Sequence, residues 1–187
     1  MQLLESKSDE LLKLIVEDYE NIGIHSGVPF VIYTYPPELE TEAIKEVERL
    51  GKKLEKNNQK SILIRFDELF RRFTEESIGD LEELYKLEED NRDSLKRAIA
   101  KEIGDNIIKY IIEESKKSPD KVVFLYRTGA IHPILKVHLL MDAFENKIKA
   151  PLVLLYPGSS DKKKLRFLNK DIPEEGYYYR ARILWGR

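Results

Sequence analysis

The stretch VVFLYRTGAIHPILKVHLLMDAFENKIKAPLVLLYPGSS, residues 122–160, decides the fold. Its two short runs, Val122 to Tyr126 and Leu152 to Tyr156, are apolar at consecutive positions and not at alternate ones, so both faces of each strand must be covered. Between them the segment ILKVHLLMDAFENK has the spacing of an amphipathic helix. A strand, a crossover helix and a second strand make a parallel β-α-β unit. Each run ends in a tyrosine followed by a polar or glycine-bearing turn, YRTG and YPG. The question is whether these exits carry chemistry or only lead out of buried strands.

The pattern extends in both directions. SKSDELLKLIVEDYENI reads as a helix, with Ser8 as its N-cap and Asp9 and Glu10 in the first turn. VPFVIYTYPP is a β-branched and aromatic strand closed by two prolines, which can open the helix ELETEAIKEVERLGKKLEKN. KSILIRF is the next strand, DELFRRFTEES a short helix, and DSLKRAIAKEIGDNIIKYIIEES a long one with Leu95, Ile99, Ile103, Ile107 and Ile111 in an i, i+4 row. Near the end, KLRFL and YYYRARIL are expected to pair as an antiparallel edge or hairpin, because Tyr178, Arg180 and Arg182 alternate with Tyr177, Tyr179, Ala181 and Ile183. The expected fold is a single three-layer α/β domain over residues 1–187. Its mainly parallel sheet is flanked by helices, with strands near 28–35, 60–66, 121–126 and 151–156 and an antiparallel C-terminal edge.

Composition narrows the function classes. Hydrophobic residues make up 42% and charged residues 35% of 187 positions, the balance of a globular chain. The N-terminus lacks the basic-then-apolar order of a signal peptide and no run approaches a membrane span, so the expected location is cytoplasmic. With no cysteine, thiolate catalysis and cysteine-bound metal are excluded, and three histidines leave little for another transition-metal site. The net charge of -2 conceals an asymmetry: from Asp161 onward there are eight Lys or Arg against four acids, which leaves residues 1–160 at -6. Such a basic tail can attract phosphate or nucleic acid, and it can equally be a solvated loop.

Ligands of open parallel sheets collect at the carboxyl ends of the strands. Here those ends are Tyr33 to Pro37, Arg65 to Glu68, Tyr126 to Pro133 and Tyr156 to Ser160. Arg127, Thr128 and Gly129 could present a guanidinium and backbone N–H groups to an anion. The plainer account is that Gly129 lets the chain turn and that Arg127 pairs with a neighbouring carboxylate. Neither G-x-x-x-x-G-K-[ST] nor G-x-G-x-x-G occurs, and no serine has a G-x-S-x-G setting. His132 and His138 are six residues apart, which does not place them on one helical face. Asp67 is read as a helix cap. No metal and no cofactor is expected, and neither ATP hydrolysis nor DNA cleavage. Arg166, Tyr178, Arg180, Arg182 and Trp185 in the C-terminal segment are of the types enriched at interfaces, and they join the YRTG residues as candidates for contact with a partner or a phosphate.

The ordered set YRTGA-x-x-P, P-L-V-x-L-Y-P-G, LRFL and YYR, within a similarity from Pro29 to Leu184, resembles the BrxB family of the BREX (bacteriophage exclusion) defence systems. The family is known mainly by its place in the defence gene cluster, beside a PglZ phosphatase-like protein, a BrxC ATPase and a PglX DNA methyltransferase. The resemblance implies a non-catalytic component or adaptor that contacts PglZ, or else BrxC or PglX. The family also accepts an aromatic residue where His132 stands, which weighs against a catalytic histidine. The alternative is a phosphate- or nucleic-acid-binding protein that uses Arg127, Lys162 to Lys164, Arg166, Arg180 and Arg182.

Overall fold

The computed structural model describes residues 2–17, 22, 28–78, 81–132, 135–161, 164–169 and 180–184, with the backbone alone described for 2–7, 78, 81–96, 99, 161 and 164. In chain order the elements are α1 (Gln2–Glu17), β1 (Phe30–Tyr35), a 3-10 turn at Pro37–Leu39, α2 (Glu40–Lys56), β2 (Ser61–Arg65), α3 (Phe66–Ile78) and α4 (Leu81–Lys117). They continue with β3 (Val122–Tyr126), a 3-10 turn at Thr128–Ile131, α5 (Val137–Phe144), β4 (Leu152–Asp161), β5 (Lys164–Phe167) and β6 (Arg182–Leu184). The sheet order is β2-β3-β4-β1-β6, every neighbouring pair is parallel, and β5 adds to β4 antiparallel.

This order follows from the apolar runs and from crossovers of one hand. The chain moves one way along the sheet from β1 to β2 and the other way from β2 through β3 to β4, so connections of a single hand place α2 on one face and α3 to α5 on the other. The packing has that division. Phe30, Ile32, Val123, Leu125, Leu152 and Leu154 pack with α3, α4 and α5, while Val31, Tyr33, Val122, Phe124, Val153 and Leu155 pack with α1 and α2. Each buried aliphatic or aromatic side chain of this kind contributes about 1.5–3 kcal/mol, and consecutive residues contribute on opposite faces. The consecutive apolar pattern thus has its physical cause in two separate cores. Ile103, Ile107 and Ile111 of the expected helical row are buried on the α4 side, whereas the side chains of Leu95 and Ile99 lie outside the described residues.

Three local expectations are corrected. α1 begins at Gln2, so Ser8 is inside the helix and not its cap: it is fully buried, and its hydroxyl accepts a hydrogen bond from Arg49 Nη2 of α2 at 2.7 Å. The helix of the opening stretch, expected over residues 134–147, is shorter than its pattern: α5 spans only Val137–Phe144, and the segment before it contains a 3-10 turn at Thr128–Ile131. KLRFL does not pair with the last strand. β5 runs antiparallel along the far half of the ten-residue β4, and β6 lies parallel beside β1, with Arg182 opposite Val31 and Leu184 opposite Tyr33. β4 outruns its neighbours, and its unpaired carboxyl half is the template that β5 takes.

Candidate functional site

The two exits of the opening stretch are built differently. After β3 the chain turns at Arg127, which takes the left-handed conformation (φ 63°). A residue with a Cβ pays about 1–2 kcal/mol for that conformation. Gly129 is not the turning residue: its φ is not positive, it is exposed, and a Cβ added there would meet nothing within 4 Å. Thr128 is buried, and its Oγ1 donates to the Leu155 carbonyl oxygen at 2.9 Å, tying the turn to β4. After Tyr156 there is no turn, since Pro157 and Gly158 continue β4 as a strand. Gly158 has φ 151°, and a Cβ there would lie 2.1 Å from the Arg166 carbonyl oxygen, so only glycine admits this approach of β4 and β5. Leu165 and Phe167 of β5 are buried, Arg166 between them is exposed, and the Phe167 ring packs 5.3 Å from Tyr156 and 4.9 Å from His132.

Along the carboxyl rim the charges form one continuous chain. Arg65, the last residue of β2, grips Asp67 through two parallel hydrogen bonds, Nε to Oδ1 at 3.1 Å and Nη2 to Oδ2 at 2.8 Å. This forked geometry is the strong form of the arginine–carboxylate pair. Arg127 Nε donates to the same Asp67 carboxylate, to Oδ2 at 3.2 Å, and its Nη1 stands 3.6 Å from Glu40 Oε1 at the start of α2. The Tyr35 hydroxyl, from the end of β1, donates to Glu40 Oε2. Glu68 adds a second acid 3.2 Å from Arg65 Nε. Asp67 is therefore a carboxylate shared by two arginines and not simply a helix cap, although its Oδ1 also accepts from the Glu68 amide at 3.1 Å.

The electrostatics follow from those contacts. The hydrogen bond from Arg65, with Arg127 adding its charge, holds the Asp67 carboxyl below the usual aspartate range. Burial, and then the bond to Glu40, pushes the Tyr35 hydroxyl far above the ordinary tyrosine value. Both groups thus stay in the states that the brace requires, an ionised carboxylate and a neutral phenol.

The predicted site residues are not gathered in one place. Arg127, Thr128 and Gly129 are at the carboxyl rim. Arg166 lies further out on β5, opposite Ser159. Arg180 is exposed, donating to Glu145 just beyond α5, and Arg182 is exposed near the amino end of the sheet. Tyr178 and Trp185 fall outside the described residues. Among the described residues, no group of three His, Asp or Glu could hold a metal, and no helix is long and apolar enough to cross a membrane. Sequence reasoning named both strand ends but missed Glu40 as the second partner of Arg127. Its position at the first turn of α2 offered no signal, since acids are ordinary at helix starts.

The fold and its rim define a doubly wound α/β sheet whose strand-end arginines Arg65 and Arg127 pair with carboxylates of α2 and α3. Comparison with known proteins supplies the family. The family described as BREX protein BrxB matches residues 63–184, well over half of the chain, and the chain belongs to it. It is accordingly a component of a BREX phage-defence system. The matched segment runs from β2 to the last residue of β6 and includes both exits, while β1 and α2 precede it. No curated protein and no solved structure matches the chain.

Proposed function

We propose that the protein is a non-catalytic adaptor of its BREX assembly, acting in the cytoplasm and binding PglZ or, failing that, BrxC or PglX. The observation that carries this reading is the occupation of Arg127. An anion-binding or catalytic arginine is held toward a ligand, and here Arg127 is held by its Nε bond to Asp67 and its ion pair with Glu40. The cationic residues that a phosphate- or nucleic-acid-binding surface would need are also divided, with Arg127 and Arg166 toward the carboxyl end and Arg180 and Arg182 toward the amino end. That division weighs against a single nucleic-acid track.

Partner contact is assigned to the C-terminal edge, where β6 is three residues long and Arg182 is exposed. Arginine at such an edge offers both buried area and a polar end. Co-expression with each neighbouring defence protein tests the reading: a stable complex with PglZ is expected, and the triple change Arg180→Glu, Arg182→Glu, Trp185→Ala should abolish it with folding intact. The opposing outcome is no complex with any of the three, together with DNA affinity that falls steeply with salt. That result would favour the nucleic-acid alternative.

A further inference from the structure

Among the described residues the sheet ends in two edges that are protected unequally. β6 is short and carries an exposed arginine, two of the devices by which proteins blunt an edge. β2 is five residues long, hydrogen-bonds β3 on one side, and among the described residues has no strand on the other. No charge interrupts Ser61 to Ile64. Leu63 at its centre is 39% exposed, beside a helix whose Gly51 leaves room for it, since a Cβ on Gly51 would come within 3.7 Å of Leu63 Cδ1.

We infer that β2 is the interface with a second copy of this chain, paired antiparallel about a two-fold axis at Leu63. The reading is independent of the proposed adaptor role. Ile62-Leu63-Ile64 is the same in both directions, so the pairing sets Leu63 against Leu63 and Ile62 against Ile64 of the second copy. Opposed residues of an antiparallel pair point to the same face. Ile62 and Ile64 both lie on the α3–α4 face and Leu63 lies against α2, so like faces join and each layer continues across the dimer. Charge agrees with the register. Exposed Lys60 falls opposite Phe66, near Glu68, whose carboxylate is 60% exposed and shares Arg65 with Asp67. The two-fold repeats this match at both ends.

The absence of native cysteine makes the test direct. Opposed residues in an antiparallel pair have Cα atoms about 4.5–5.5 Å apart, within disulfide range. Leu63→Cys should therefore oxidise to a covalent dimer of twice 22.0 kDa. Leu139→Cys, more open at 51% exposure but on α5, should remain a single chain. The unmodified protein should double in mass with rising concentration in sedimentation, and Leu63→Lys should stay at the single-copy mass with an unchanged circular dichroism spectrum. Cross-linking of Leu63→Cys no greater than that of Leu139→Cys would overturn the inference. So would a single-copy mass at every concentration, and if Leu63→Lys then also lost capture of another BREX protein, the edge would belong to that protein.

Discussion

YRTG and YPG look alike in the sequence and behave in opposite ways. At the end of β3 the chain turns on an arginine, and the glycine two residues later is conformationally idle. At YPG the chain does not turn but continues as β4, and the glycine is sterically compulsory because β5 passes over it. In the first exit a charged side chain is fixed by partners on two other elements, α2 and α3, which offsets the left-handed backbone. In the second, the backbone itself is the constraint. A glycine beyond an apolar run is therefore not one signal: at Gly129 it is incidental to a turn that Arg127 makes, and at Gly158 it permits a close crossing of two backbones.

Substitution should separate the two exits sharply. Gly158→Ala must push the backbone of β5 away, and overpacking of this kind together with the positive φ should cost about 3 kcal/mol or more. Urea denaturation should show that loss, with reduced protection of the β4–β5 amides. Asp67→Asn at the other exit leaves two arginines around a neutral amide, and a pair that is partly open to solvent should lose about 1 kcal/mol. The loss should depend on pH. The Asp67 carboxyl is held low in the fold by Arg65, so as pH falls the unfolded chain takes up its proton first. Its contribution is complete above the ordinary aspartate value of about 3.9 and disappears as pH falls through the lower folded value. Stability measured from neutral to acid pH should fall less steeply in Asp67→Asn.

Tyr35 has the reverse sign. Burial and its bond to Glu40 keep it protonated, so the unfolded chain ionises first as pH rises past about 10, and the stability contribution is lost above that point. Tyr35→Phe should cost about 1 kcal/mol at neutral pH and remove part of the alkaline loss in the same denaturation series. Gly129→Ala should have the smallest effect, within about 0.5 kcal/mol, as read by the urea midpoint. A cost as large as that of Gly158→Ala would abolish the distinction between the exits.

The strands and the three layers were legible because consecutive apolar residues can only mean cover on both faces, and Val122 to Tyr126 and Leu152 to Tyr156 are that cover. A carboxylate partner for Arg127 was also legible as a type. Which carboxylate was not, because Asp67 and Glu40 meet Arg127 only once the strand order places β2, β3 and β1 on one rim. The C-terminal hairpin misled for a related reason. Alternation in KLRFL and YYYRARIL reports that strands exist but says nothing of their neighbours, and β4 was long enough to claim β5 for itself. Ser8 has the right residue type for a cap, but a tertiary bond to Arg49 uses it within the helix.

The central claim is that Arg127 braces the rim and is not held ready for a ligand. The direct measurement is the urea midpoint of the unmodified protein and of Arg127→Ala, each with and without inorganic phosphate. The brace predicts a midpoint lowered by about 1 kcal/mol of stability in Arg127→Ala and no phosphate-dependent rise in either protein. An unchanged midpoint in the variant, with a phosphate-dependent rise confined to the unmodified protein, would make Arg127 an anion ligand and contradict the account.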